Sequence, residues 1–329
     1  MLTRRTLVKA TAAAAATSVG GQRGSAQAVR TLRMTYLYAA ESQLGAGSTA
    51  MAEEVAKRTG GRIRIEQFPD AALGGDANML KGVQLGSIDL AFVTGSYLPD
   101  VVPETDLLQM PFLFRNITHA HAAMDGAPGQ EFLKRMATKD VVPLAWGENG
   151  LRHISNSKRA ITTPEDLKGL KLRLPQSDVI VLGFKALGAE TGVLALPKLY
   201  DALQTGQFDG EENPIATMLS SNLQKVQKFL TLSGHVYSPA VIVMSPDAHD
   251  ELSAEDKAIF ADAAKLGAQA SRGYAARAEK SGVATMQQAG MQVVVEIDRA
   301  RFAAAMASAT PEYEKRFGRD LIERFRVVS

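Results

Sequence analysis

Arg173 stands in the run Lys171-Leu172-Arg173-Leu174-Pro175. Strand alternation turns its side chain away from Leu172 and Leu174, and Pro175 ends the ladder. Ligands of open α/β sheets settle beyond the carboxyl ends of strands, so an arginine at that edge faces a cleft. Its planar fork suits bidentate capture of a carboxylate. Asn213, held extended by Pro214, stands at a similar edge. Arg152, near an expected crossing between domains, is a third position of this kind. Taken singly, each is more often a surface or interdomain ion-pair residue.

Patterns for catalysis are weaker. Gly45-Ala46-Gly47-Ser48-Thr49-Ala50 matches GxGxxA between a strand and a helix, with Glu66 near the end of the next strand, the outline of a dinucleotide fingerprint. Five residues, Ala40 to Leu44, separate it from the expected strand end, so a pyrophosphate would not meet the turn. Small residues packing a helix on a sheet explain it better. His119 and His121 are two apart, which points them to different sides of a helix, and Asp125 adds little as a third ligand. Neither GxSxG nor HExxH occurs, and His153, His235 and His249 have no triad partners by spacing. The reading is therefore non-enzymatic, with no cofactor and no metal.

The elements that must position these residues follow from the patterning. A length of 329 residues suggests about two domains, and 46% hydrophobic with 22% charged residues is a globular composition. The absence of cysteine excludes disulfides, thiolate metal sites and a cysteine nucleophile. No basic block is present, which argues against nucleic acid as a partner. Residues 32–39, 62–67, 89–93, 171–174 and 236–244 read as strands, and residues 48–58, 76–85, 119–137, 179–187 and 198–205 as helices. Residues 141–146 and 151–155 read as two strands flanking Gly147-Glu148-Asn149-Gly150, where the chain is expected to cross between domains. Strands alternating with helices imply β-α-β units. Ser253 caps a helical pattern running towards Ala289, on the order of 50 Å at helical rise, long enough to brace two domains.

Residues 1–28 combine a basic start, an alanine-rich middle and the small-x-small end Ala26-Gln27-Ala28, the layout of an export signal. Within them Thr3-Arg4-Arg5-Thr6-Leu7-Val8-Lys9 resembles the twin-arginine motif. Removing the four basic groups of this segment (Arg4, Arg5, Lys9, Arg23) from 37 leaves 33 against 35 acidic residues, so the +2 of the full chain becomes −2. No later stretch reads as a membrane span, and a soluble periplasmic product is expected.

The runs Trp146-Gly147-Glu148-Asn149-Gly150-Leu151-Arg152-His153, Asp166-Leu167-Lys168-Gly169-Leu170-Lys171-Leu172-Arg173 and Tyr200-Asp201-Ala202-Leu203-Gln204-Thr205-Gly206-Gln207-Phe208-Asp209-Gly210-Glu211-Glu212-Asn213-Pro214 resemble the solute receptors of tripartite ATP-independent periplasmic (TRAP) transporters, the DctP family. Leu73-Gly74-Gly75-Asp76, Gly86-Ser87-Ile88-Asp89 and Pro111-Phe112-Leu113-Phe114 look like the same family. The resemblance covers the mature chain. It implies an α/β, two-lobed periplasmic binding protein fold, each lobe a mixed sheet flanked by helices, with the long helix bracing both. The expected lobes are 29–150 plus about 239–278, and 151–238 plus about 279–329. The implied function is capture of a small organic acid, a dicarboxylate or a sugar acid, and its delivery to a membrane permease by a monomeric receptor. The contrasting reading is an exported NAD(P)-dependent oxidoreductase. On the family pattern Arg173 pairs the ligand carboxylate, Arg152 is the second arginine and Asn213 the asparagine of the Glu-Asn-Pro turn. Gln176 is a further polar contact and Leu196 a wall. Glu41, Gln43, Ser96 and Tyr237 are contacts by position.

Overall fold

The computed structural model describes residues 28–328. The expected export segment, Ala28 excepted, lies outside the described residues. The first part of the chain runs β1 (Arg30–Tyr36), α1 (Gln43–Arg58), β2 (Ile63–Phe68), α2 (Asp76–Gln84), β3 (Leu90–Thr94), α3 (Ile117–Asp125), α4 (Ala127–Met136) and β4 (Val142–Asn156). There follow β5 (Lys171–Leu174), α5 (Asp178–Ala186), β6 (Glu190–Val193), α6 (Leu199–Gln204), β7 (Gly210–Pro214), α7 (Ile215–Ser220) and β8 (Phe229–Met244). The remainder is mostly helical: α8 (Pro246–Asp250), α9 (Ala254–Gln288), β9 (Gln292–Val294), α10 (Arg299–Met306), α11 (Thr310–Phe317) and α12 (Arg319–Arg326).

Among the described residues the strands are ordered β2-β1-β3-β8-β4-β7-β5-β6, with β9 beside β8. β1 pairs parallel with β2 and β3, and β5 pairs parallel with β6 and β7. The two groups are joined by the long antiparallel pair β4 and β8. One end of that pair, Val142↔Met244 to Gly147↔Ala240, continues into β3, and the other, Arg152↔Val236 to Asn156↔Phe229, continues into β7. The sheet is thus mixed in each half, and both halves share two strands. Apolar side chains cover each face. Met34, Phe92, Ile242 and Phe260 pack in the first half, and Leu172, Ile180, Phe184 and Phe302 in the second.

The expected break at Gly147-Glu148-Asn149-Gly150 is instead a bulge inside one continuous strand. The register shifts between Glu148 and Gly150, and Gly150 takes φ +133, a conformation that side chains avoid. A bulge bends and twists the strand without ending the ladder. β8 likewise begins earlier than the expected Val236, because Gly234 at φ +51 lets the chain step over residues 232–235 and resume pairing at Thr231. The single helix expected over 119–137 is two. Gly126 is extended and Pro128 opens the second helix, where its missing N–H costs nothing.

α9 has 35 residues and braces both halves. Ser253 caps it by accepting from the Asp256 amide. Its N-terminal part lies so close to α1 that a Cβ on Gly267 would stand 2.6 Å from the Gly47 carbonyl oxygen. Its C-terminal part meets α7, where a Cβ on Gly282 would stand 2.5 Å from Ile215. Midway, the Ser271 hydroxyl accepts from the Glu148 amide at 3.0 Å and pins the bulge. Gly45 and Gly47 are therefore packing glycines inside or against α1, not a phosphate turn. Since backbone cannot yield as a flexible side chain can, Gly267→Ala is expected to cost about 1–3 kcal/mol, read as a lower thermal midpoint. The C-terminal helices cross back over the first half: Phe325 of α12 stacks on Phe132 at 5.4 Å and meets Phe114 edge-on. This stretch, expected with the second lobe, packs on the first. No helix among the described residues is long and apolar enough to cross a membrane.

Candidate ligand-binding site

Strand ends from both halves converge on one small cavity of about 20 Å³. The first half contributes Leu37 and Tyr38 after β1, and Thr94, Ser96 and Tyr97 at the end of β3. The second contributes Arg173, Pro175, Leu196 and Asn213, and the shared strand β4 supplies Asn149 and Arg152. Both parallel strand groups aim their carboxyl ends here, so the cavity sits where an open α/β sheet receives ligands.

The two arginines are equally buried, at 2% exposure each, but differ in their partners. Arg152 is committed to Glu212. Its Nε donates to the Glu212 carboxylate at 2.5 Å, and Nη2 donates to the other carboxylate oxygen at 2.7 Å and to the Glu212 carbonyl. Nη2 also reaches Asn213 Oδ1 at 3.2 Å. Burial pushes the Glu212 carboxyl up, but Arg152 and His235 more than offset this and hold it below the usual range. His235, 3.1 Å from Glu212, has its pKa lowered by burial and stays neutral at pH 7.

Arg173 has no such partner. Its Nε donates to the Leu194 carbonyl at 2.7 Å, and among the described residues no carboxylate lies within ion-pair distance. Burial, then the charge of Arg152, lowers its pKa, though a guanidinium stays protonated at any working pH. A buried cation without a counter-ion is costly unless something supplies one.

Polar groups surround it. The Tyr38 hydroxyl donates to Asn149 Oδ1 at 2.8 Å. Asn149 Nδ2 donates to Ser238 Oγ at 3.1 Å, and Ser238 Oγ also accepts from Gln109 at 3.3 Å. Glu211, beside Arg173 in the β5–β7 register, accepts from the Ser155 hydroxyl and the Asn213 amide, and burial pushes its carboxyl up to about 7. Asp76, buried behind Thr94 and bonded to its hydroxyl, is likewise pushed up to about 7 by burial.

Of the residues expected from sequence, Arg173, Arg152, Asn213, Ser96 and Leu196 line the cavity. Gln43 stands behind it, donating to the Asn149 carbonyl at 2.9 Å and to Thr217 at 3.0 Å. Three are not brought in. Tyr237 is on the opposite face of β8 from Ser238, packed edge-on against Phe114 and His121, because adjacent strand residues face opposite ways. Glu41 is exposed, and only its carbonyl is engaged, by the Tyr274 hydroxyl. Gln176 is exposed beyond Pro175 and donates to Asp100 of the first half at 3.2 Å, so it ties the halves together outside the cavity. Missed were Tyr38, Asn149, Thr94 and Tyr97. The rule that ligands meet strand ends, applied to β1 and β3 as it was to β5, would have found all but Asn149.

Among the described residues no group of three histidine or acidic side chains is placed to hold a metal. His119 Nδ1 accepts from the Arg115 amide and His121 faces Glu148, so the two histidines serve separate contacts.

The family model for bacterial extracellular solute-binding proteins, family 7 (DctP), matches residues 34–316. A solute-binding protein of Verminephrobacter eiseniae is 43% identical over 302 residues, covering 92% of this chain and 90% of its own. The crystal structure of a TRAP periplasmic solute-binding protein from Polaromonas sp. JS666, bound to D-erythronate, is 42% identical with a TM-score of 0.89, covering 91% of this chain and 99% of that one. A second, from Sulfurospirillum deleyianum with bound succinate, is 30% identical with a TM-score of 0.87, covering 92% and 100%. With a two-lobed α/β architecture, a cavity between strand ends of both halves and these likenesses, the chain belongs to the DctP family of solute-binding proteins and is a TRAP-type solute receptor.

Proposed function

We propose that this receptor captures a small hydroxylated monocarboxylate, of the four-carbon aldonate class, in the periplasm and delivers it to a TRAP permease. The observation that carries the reading is the contrast between the two buried arginines. Glu212 already occupies Arg152, which leaves Arg173 as the one cavity cation without a carboxylate partner among the described residues. A dicarboxylate would bring a second charge with no free cation to meet it. The hydroxyl and amide groups of Tyr38, Ser96, Asn149 and Asn213 suit a ligand rich in hydroxyls. The D-erythronate bound by the Polaromonas protein is such an acid, and that protein is more similar to this chain than the succinate-bound one.

A cavity of about 20 Å³ holds roughly one water, so a four-carbon acid enters only as the lobes part. The proposed lobe boundary is at Gly150 and Ser238, which face each other across the β4–β8 ladder beside the bulge. This supports a hinge there, with 29–150 and about 239–278 on one side, 151–238 and the chain from about 279 on the other, and α12 strapped over the first lobe. The proposal includes export by the twin-arginine route and action as a monomer.

A thermal-shift screen tests the ligand class. D-erythronate at about a hundred times its Kd adds about 2.7 kcal/mol of stability through mass action, and it is expected to raise the midpoint more than succinate. A larger shift with succinate overturns the monocarboxylate reading. No shift with any mono-, di- or sugar acid overturns acid capture.

A further inference from the structure

The two cavity arginines are backed by two buried carboxyls, more ionisable groups than a ligand carboxylate needs. Arg152, Arg173, Glu211 and Glu212 are each nearly or fully buried and lie on three adjacent strands, β4, β5 and β7. With all four ionised the cluster is balanced. An enclosed ligand carboxylate then leaves one negative charge in excess, and an uncompensated buried charge is expensive. A cation has to accompany the anion, and the smallest available is a proton.

We infer that capture of the ligand carboxylate is coupled to uptake of a proton from solvent by Glu211, so that anion and proton are bound together and released together at the permease. The inference rests on the receptor reading above. The hydrogen bonds select Glu211 among the carboxyls present. The ligand is to be held by Arg173, and Glu212 is held by the Arg152 fork and by His235. The partners of Glu211 are neutral: the Ser155 hydroxyl on one oxygen and the Asn213 amide on the other. Its neighbouring cation is Arg173, opposite it in the β5–β7 register, and that is the group a ligand claims.

The charged and titratable groups around Glu211 are few. Glu212 on its own strand disfavours its charge and Arg173 from β5 favours it. From β4, Arg152 is spent on Glu212, and His153 points to Glu279. From β8, His235 reaches Glu212 and is neutral. Burial already sets Glu211 at about 7, and a second anion nearby moves it further up. Below pH 7 Glu211 is protonated before the ligand arrives, so binding takes up no proton and affinity is flat. Above pH 7 binding has to draw the proton from solvent, and affinity falls by up to about tenfold per unit.

Calorimetry of D-erythronate binding to the folded protein at pH 8, in buffers of low and high ionisation enthalpy, reads the uptake directly. We expect close to one proton in the wild type, close to none in Glu211→Gln, and an undiminished uptake in Asp76→Asn, which removes the other buried carboxyl near the cavity. Heats that do not change with buffer in the wild type overturn the coupling, and uptake that survives Glu211→Gln but is lost in Asp76→Asn overturns its assignment. Should Glu211→Gln not fold, the wild-type Kd between pH 6 and pH 9 decides: a decline above pH 7 supports the coupling and a flat profile overturns it. Absence of both heat and thermal shift with D-erythronate, succinate and galactonate overturns the receptor reading itself, and the coupling falls with it.

Discussion

Arg173→Met is expected to lose acid binding while the protein remains folded. The substitution keeps the buried stem and deletes the cation. In the complex it leaves the ligand carboxylate enclosed with no charged partner, a loss on the order of 3–5 kcal/mol, equivalent to a hundredfold or more in Kd. In the ligand-free protein the account reverses. Arg173 makes one side-chain hydrogen bond, to the Leu194 carbonyl, and meets no carboxylate within ion-pair distance among the described residues, so removing it relieves an unpaired charge. The thermal midpoint of the free protein should therefore hold or rise, most clearly at pH 6, where Glu211 is protonated and offers Arg173 no compensation. Calorimetry with D-erythronate and a melt of the free protein check both parts. Near-normal affinity in the variant would remove Arg173 from the site, and a large fall in the midpoint would mean that its role is structural.

Arg173 and Asn213, two of the cavity residues read from sequence, share one local property: each lies within two residues of a proline at the end of a short strand. Pro175 after Leu174 and Pro214 after Asn213 stop their ladders, and both strands deliver their polar residue to the cavity. The errors have a different origin. In β8 the face on which a residue lies depends on the irregularity at residues 232–235, and a slip of one position exchanges faces. Tyr237 was expected where Ser238 stands. The Gly-Glu-Asn-Gly run in β4 carries the composition of a turn, and its continuity depends on distant partners: Ser271 of α9 bonded to Glu148, and Phe92 packed so near Gly147 that a Cβ there would lie 2.4 Å away. No local pattern encodes those contacts. The pairing of charges is the least legible feature. Nothing in Glu211-Glu212 says which carboxylate takes Arg152, because strand phase and the β4–β7 register decide it: Glu211 faces Ser155, and Glu212 faces the arginine.

That pairing makes Arg152→Ala the opposite experiment. Arg152 gives three hydrogen bonds to Glu212 and one to Asn213, and both partners of the ion pair are almost wholly buried. Without it Glu212 keeps only His235, itself neutral and buried. Breaking a buried pair from one side costs about 3–5 kcal/mol, a large share of the roughly 5–15 kcal/mol that holds a domain folded. The pH dependence has a definite sign. In the wild type Glu212 is held below the ordinary carboxylate range, so the pair contributes stability at neutral pH that is lost only as pH falls through that lowered value. In the variant burial is opposed only by His235 and raises the Glu212 carboxyl, so the variant is weakest at neutral and alkaline pH and recovers relative to wild type as acid protonates it. Urea titrations at pH 5 and pH 8 should show the larger deficit at pH 8, and Arg152→Ala combined with Glu212→Gln should regain much of it, since the double variant no longer strands the Glu212 charge. A single variant within about 0.5 kcal/mol of wild type, or a double variant less stable than the single, would show that Arg152 is free in solution to serve the ligand, and the monocarboxylate reading would then give way to one with two cations on offer.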